Sequence, residues 1–260
     1  MCIRDRPNPN DLSVLQYTGG TTGKPKGVNI THGQMSINIS QRECSIPTRP
    51  DNELVLCVMP LFHVFATSMC LHLSLYCRGT FVILKNYHPA DTLKALENHK
   101  ITLFPAGPTV FNGLLSYNEF TNTDFSALRR CVSGSAPLAA ETLNSWQQLT
   151  NCPILEGYGQ TEGGPVVTMF KDSEIPIPGS VGKPLPYTDL LIVDVETGNE
   201  ILGPGKIGEI RVKGPQIMSG YRNRPEETAL ALRSGWLYTR DIGEFDAKGY
   251  FYIRDRKKDM

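Results

Sequence analysis

The densest grouping of reactive residue types is Tyr17-Thr18-Gly19-Gly20-Thr21-Thr22-Gly23-Lys24-Pro25-Lys26-Gly27. Four glycines, three threonines and two lysines fall within eleven residues, directly after the apolar run Leu12–Gln16. Glycines permit positive φ and let another group come close to the backbone. The threonine hydroxyls, the free backbone N–H groups and the two lysine charges suit a loop that wraps a polyphosphate. The spacing is not that of the P-loop, G-x-x-x-x-G-K-[ST]. Gly19 to Gly23 is one residue too short, and Pro25 stands where Ser or Thr is needed. On composition alone a surface hairpin that happens to carry lysines is an equal alternative.

A second grouping is Glu156-Gly157-Tyr158-Gly159-Gln160-Thr161-Glu162-Gly163-Gly164. It follows an apolar strand, and in α/β sheets ligands collect at the carboxyl ends of such strands. Glycines on both sides of Tyr158 predict a tight loop presenting an aromatic face to a nucleobase. Thr161 offers a hydroxyl and Glu162 a hard oxygen ligand for Mg²⁺. A strand-end turn with a packed tyrosine explains the same residues equally well. Cys131-Val132-Ser133-Gly134-Ser135-Ala136-Pro137 reads as strand, small-residue loop and helix start. Small side chains there let a flat ring approach, although a routine βα turn is the simpler reading. Met59-Pro60-Leu61-Phe62-His63 places a histidine at the mouth of an apolar helix. Val64, Phe65, Met69 and Leu73 line a channel or fill a core.

The string YTGGTTGKPKGV resembles the phosphate-binding loop of the adenylate-forming superfamily: acyl-CoA synthetases, peptide-synthetase adenylation domains and luciferases. Its Gly19-Gly20 pair, where many members have Ser-Gly, resembles the long-chain fatty acyl-CoA synthetase branch. Residues 156–164 resemble the family's GYGxTE motif, and residues 59–63 its PLFH motif. Gly235-Trp236-Leu237-Tyr238-Thr239-Arg240-Asp241 resembles GWxxTGD, with Arg240 in place of glycine. Ile253–Asp259 resembles the hinge motif. The resemblance spans residues 11–260.

It implies ATP, Mg²⁺ and CoA as reactants, with Lys24, Thr161 and Glu162 as catalytic residues. Thr18, Gly19, Gly20, Thr21, Thr22, Gly23 and Lys24 would surround the phosphates. Gly134, Ser135, Ala136, Gly157 and Tyr158 would border the adenine, Thr161 a phosphate. Asp241 would take both ribose hydroxyls, and Arg256 would be a second ribose or phosphate contact. Thr22 and Glu162 would serve the magnesium. His63, Val64, Phe65 and Gly134 would border the acid, and Lys258 would be the hinge. The implied reaction is activation of a long-chain fatty acid to acyl-AMP and then acyl-CoA. The alternatives are another adenylating ligase, for an aryl or short-chain acid or an amino acid, and a nucleotide-binding module without catalysis.

The elements that must position these residues follow from pattern. Strands are expected at 11–18, short and buried and feeding the glycine-rich segment, and at 28–31, 53–58, 80–84, 101–104, 128–132 and 153–156. Helices are expected from residue 31 or 32 toward 44, and over 62–76, 89–99, 108–115 and 137–149. That alternation predicts an α/β fold with a mostly parallel sheet and flanking helices. Near residue 175 prolines and glycines recur, and short strands with one helix at 225–233 predict a small antiparallel sheet or β-barrel-like subdomain. The expected organisation is an AMP-binding α/β region over 7–175, a β-rich subdomain over 176–255, and the start of a hinge at 256–260. Residues 1–6 resemble a translated sequencing adapter and are excluded from fold reasoning. The chain is expected to be an internal piece of a longer protein, its small C-terminal domain lying beyond residue 260.

Composition narrows the function classes. The chain has 260 residues, 40% hydrophobic and 20% charged, with Lys+Arg and Asp+Glu both 26. That balance argues against bulk electrostatic binding to nucleic acid. No apolar run reaches the ~18–20 residues that span a bilayer. Seven cysteines without C-x-x-C fit free thiols in a reducing cytoplasm better than disulfides or zinc. The five histidines form no H-E-x-x-H, and no G-x-S-x-G elbow occurs. A cytoplasmic enzyme acting on small molecules is expected. Peripheral contact with the inner membrane and a homodimer of the whole protein are compatible with the resemblance.

Overall fold

A computed structural model describes residues 6–19 and 25–256. The fold opens on a hairpin of β1 (Leu12–Thr18) and β2 (Lys26–Thr31), paired antiparallel with Thr18 opposite Lys26. This pair pins both ends of the glycine-rich segment. The short strand Gly220–Tyr221 adds to the other side of β2, so β1 is the edge of a three-stranded sheet. That position corrects the expectation of a buried first strand: Leu15 and Tyr17 face solvent. Helix α1 (His32–Ser45) begins at a capping box. The Thr31 hydroxyl accepts from the Gln34 N–H, and the Gln34 side chain accepts from the Thr31 N–H.

The main sheet follows. Its strands are β3 (Leu54–Cys57), β4 (Thr80–Ile83), β5 (Leu103–Ala106), β6 (Arg130–Ser133), β7 (Ile154–Gly159), β8 (Val166–Met169) and β9 (Lys183–Pro184). Their order is β4-β3-β5-β6-β7-β8-β9. The strands from β4 to β7 are parallel, and β8 and β9 antiparallel. Between β3 and β4 run α2 (Val64–Ala66), a π-helical turn (Thr67–His72) and α3 (Leu73–Cys77). Helices α4 (Pro89–Asn98), α5 (Pro108–Leu115) and α6 (Ala140–Thr150) cross between the later strands. β5 is buried throughout, as a strand covered on both faces must be. Pro105 lies inside β5 instead of closing it, because its fixed φ is compatible with extended backbone.

Both faces of this sheet carry a core. Trp146 on α6 meets Phe111 on α5 edge-on at 4.9 Å, and Phe104, Phe120 and Phe125 join the aromatic cluster. On the opposite face Phe65, Met69 and Leu73 pack against Val132 and Leu155.

The third sheet contains β10 (Asp189–Val193), β11 (Ile201–Leu202) and β12 (Gly208–Lys213). After β13 (Gly220–Tyr221) and α7 (Pro225–Ala231) it continues with β14 (Leu232–Arg233), β15 (Trp236–Phe245) and β16 (Phe251–Arg256). The order is β11-β10-β12-β15-β14, with β16 also on β15, all antiparallel. The described strands form an open sheet, not a closed barrel. Past residue 175 the chain also supplies β9 to the main sheet and β13 to the hairpin sheet, so the three sheets interlock. Among the described residues no helix is long and apolar enough to cross a membrane.

Candidate active site

One cavity of ≈ 640 Å³ opens where the carboxyl ends of β6 and β7 meet the hairpin ends and the third sheet. It collects Thr18, Gly19, His63, Val64, Phe65, Gly134, Ser135, Gly157, Tyr158, Thr161, Glu162, Asp241 and Arg256. Ala136 is not among the lining residues. Gly20, Thr21, Thr22, Gly23, Lys24 and Lys258 lie outside the described residues.

Tyr158 is not on a loop. β7 runs on through Gly157, Tyr158 and Gly159 and pairs with the returning strand β8, Tyr158 opposite Thr168. The second glycine is needed for that approach, since a Cβ on Gly159 would lie 1.9 Å from the Pro165 carbonyl oxygen. The Tyr158 hydroxyl donates to Asp241 Oδ2 at 2.6 Å. Asp241 and Arg256 face each other across β15 and β16, with Arg256 Nε 3.2 Å from Asp241 Oδ1. Burial raises the Asp241 carboxyl above the usual carboxylate range, and Tyr158 and Arg256 oppose that shift. Each carboxylate oxygen keeps a lone pair for a further donor, so two adjacent hydroxyls of a sugar fit here.

A second cluster surrounds Glu162, on the short turn Thr161–Gly163. Tyr221 donates its hydroxyl to Glu162 Oε1 at 2.7 Å, and Lys26 Nζ sits 4.3 Å from the centre of the Tyr221 ring. Pairing of β13 with β2 sets Tyr221 opposite Val28, which brings the ring to the base of the glycine-rich segment. Glu162 Oε2 has no hydrogen-bond donor among the described residues. Those residues include no group of three or more acidic, histidine or cysteine side chains able to enclose a metal. A divalent ion held by Glu162 would therefore take its remaining oxygens from phosphate and water, the usual habit of Mg²⁺. The chemistry of this donor fits that ion.

His63, also in the lining, caps α2, its Nδ1 accepting from the Phe65 N–H at 3.2 Å. Val64 and Phe65 reach the cavity, whereas Met69 and Leu73 are core. A Cβ on Gly134 would stand 3.5 Å from the Phe65 ring. Ser133 and Gln160 also line the cavity, and the buried Ser133 hydroxyl and Gln160 amide nitrogen have no hydrogen-bond partner among the described residues. Glu156, on β7 just before Gly157, accepts from the Leu138 N–H at 3.2 Å, and burial pushes its carboxyl up to about 8.

Residues that sequence reasoning did not nominate also line the cavity, chiefly Tyr221, Glu209 and Arg240. Tyr221 has no local signal, since only the β13–β2 pairing puts it there. Arg240, where the family motif has glycine, adopts φ 62°, so the loop keeps a left-handed turn at this residue.

The family model "AMP-binding enzyme" matches residues 2–222. A long-chain-fatty-acid–CoA ligase of Bacillus subtilis (strain 168) is 43% identical over 252 residues, covering 96% of this chain and 45% of that protein. The ATP-bound crystal structure of MatB from Rhodopseudomonas palustris has a TM-score of 0.91 at 32% identity, over 98% of this chain and 50% of that one. O-succinylbenzoate coenzyme A synthetase (MenE) from Bacillus subtilis, in complex with ATP and magnesium ion, has a TM-score of 0.86 at 29% identity. It covers 97% of this chain and 52% of that one. The chain thus spans about half the length of the relatives it matches.

Proposed function

Because the chain belongs to the AMP-binding enzyme family, we propose that its cavity is the nucleotide and acid site of a long-chain fatty acid–CoA ligase. The acid carboxylate oxygen attacks the α-phosphorus of ATP, and pyrophosphate leaves. The thiol of CoA then attacks the acyl carbonyl, and AMP leaves. The nucleophiles belong to the substrates, so the protein's task is positioning and neutralisation of charge. Asp241 accepts the ribose hydroxyls, with Tyr158 and Arg256 fixing its orientation. Thr161, the segment at 18–24 and Lys24 donate to the phosphates. Glu162, with Thr22, would hold Mg²⁺, which would supply further positive charge to the phosphates. His63, Val64, Phe65 and Gly134 border the acid.

The observation that carries this reading is convergence: motifs from Thr18 to Arg256 line one cavity. The 43%-identical relative favours a fatty acid. The likeness to o-succinylbenzoate coenzyme A synthetase favours an aryl acid as the second reading. The test is to supply the whole protein with ATP, Mg²⁺, CoA and a panel of acids, and to follow thioesters by mass spectrometry. Preference for saturated acids of long chain supports the first reading, and turnover of aryl acids alone refutes it.

A further inference from the structure

A second, smaller cavity of ≈ 20 Å³ lies between the hairpin, α1 and the π-helical turn. Arg42, Ser68 and His72 line it, and Val64 lines both this cavity and the larger one. Arg42 stands in the last turn of α1 and is only 2% exposed. Its Nε donates to the Asn38 carbonyl at 3.2 Å. Its Nη1 donates to the Ser68 carbonyl at 2.7 Å and to the Met69 sulfur at 3.1 Å. Among the described residues Nη2 has no acceptor, and no carboxylate forms an ion pair with Arg42. The adjacent Glu43 carboxylate accepts from the Thr48 N–H at 2.8 Å and the Thr48 hydroxyl at 2.9 Å instead. Burial pulls the guanidinium down to about 10, so it keeps its charge at neutral pH. Buried charges are normally paired, because taking one out of water is costly. This one has neutral acceptors only.

Ser68 adds a second donor. It too is 2% exposed, and its hydroxyl is buried with no hydrogen-bond partner among the described residues. The carbonyl of the same residue holds Arg42 Nη1, so hydroxyl and guanidinium are neighbours. His72 follows one turn on and is half-buried. Burial and the charge of Arg42 pull its imidazole down to about 4, so at neutral pH it is uncharged and offers one N–H. No Asp or Glu lines this cavity, and Val14, Ile30 and Met35 give it apolar walls. Size decides what can enter. A volume of ≈ 20 Å³ holds about one water-sized sphere, too little for a phosphate or the carboxylate of an acid.

We propose that this cavity is a binding site for a single halide ion, chloride under ordinary conditions, which serves as the counter-ion of Arg42. The ion accepts from Arg42 Nη2 and the Ser68 hydroxyl. It ties α1 to the turn that continues from α2, whose Val64 and Phe65 wall the larger cavity. A water molecule fits the same space but leaves the buried charge without a counter-ion.

The experiment compares the whole protein with R42M and S68A in sodium chloride, sodium bromide and sodium gluconate at equal ionic strength. The parent's Tm should rise saturably with chloride over gluconate, by about 2–5 °C at a hundredfold excess over Kd. R42M should lose that difference. S68A should bind chloride about tenfold more weakly, the worth of one hydrogen bond to a charged group. Crystals of the parent grown in bromide should show an anomalous peak beside Arg42 and Ser68. A Tm indifferent to the choice of anion would overturn the proposal, as would a water molecule and no bromide in this cavity. A chloride effect undiminished in the variants would place the ion elsewhere and overturn it equally. Should R42M not fold, S68A, which removes a single oxygen, decides the matter with the bromide map.

Discussion

Asp241→Asn keeps the shape of the side chain, removes its charge and turns one acceptor oxygen into a donor. In the parent, Oδ2 accepts the Tyr158 hydroxyl at 2.6 Å and Oδ1 faces Arg256 Nε at 3.2 Å. The residue is 5% exposed, so water does not replace what is lost. A hydrogen bond to a charged acceptor is worth about 1.5–3 kcal/mol, and a neutral one about 0.5–1.5 kcal/mol. Two ribose hydroxyls therefore lose roughly 1 kcal/mol each, with somewhat more where the amide presents a donor to a donor. The sum, about 2–3 kcal/mol, is roughly 30- to 150-fold in Kd. Because AMP and ATP share the ribose, both should weaken by the same factor. Burial already disfavours the Asp241 charge, so its removal should leave the fold intact. Isothermal calorimetry with both nucleotides, on protein shown folded by circular dichroism, is the assay. An AMP Kd unchanged by the substitution would refute the ribose assignment.

Glu162→Gln retains an acceptor for the Tyr221 hydroxyl but loses the charge, so adenylation should need far more Mg²⁺ to reach half its maximum. Superimposable Mg²⁺ titrations would assign Glu162 a structural role. Glu156 is held up at about 8 by burial, against 4.5 ordinarily. Its contribution to stability is therefore fully present below 4.5 and is lost as pH rises through about 8. Urea unfolding at intervals of pH should show stability falling across that window, at most about 1.4 kcal/mol per pH unit from this group. Glu156→Gln should flatten that fall, and an identical slope in the variant would exclude Glu156 as its source. Lys24→Ala in the whole enzyme should cost about 2–4 kcal/mol of transition-state stabilisation, comparable to losing one preorganised donor. Steady-state kinetics with ATP varied are the check, and an unaltered kcat/KM for ATP would remove Lys24 from the mechanism.

The alternation of β-strands and helices was legible because strands buried on both faces are short apolar runs, and β5 at Leu103–Ala106 is one. The start of α1 was legible because Thr31 and Gln34 form a cap from local sequence. The motif residues could be nominated because each stretch carries its own composition. Pairing over distance could not be read. Nothing near Tyr221 says that it will lie opposite Val28 and hold Glu162. Nothing in Leu12–Thr18 separates an exposed edge of a small sheet from a strand of the large one. Gly157 and Gly159 read as turn residues, yet they serve a strand, because the returning chain comes too close for a Cβ at Gly159. The long strand Trp236–Phe245 was hidden by its bulge, which breaks the period of two that a strand normally displays.

The central claim is that these motifs form an adenylating site for a long-chain acid. Acid-dependent exchange of labelled pyrophosphate into ATP tests it most directly, since exchange requires ATP, acid and Mg²⁺ to react in one cavity. With the whole protein the account predicts exchange that depends on both Mg²⁺ and a long-chain fatty acid and is abolished by Asp241→Asn at low ATP. Absence of acid-dependent exchange in a folded protein that binds ATP would contradict it.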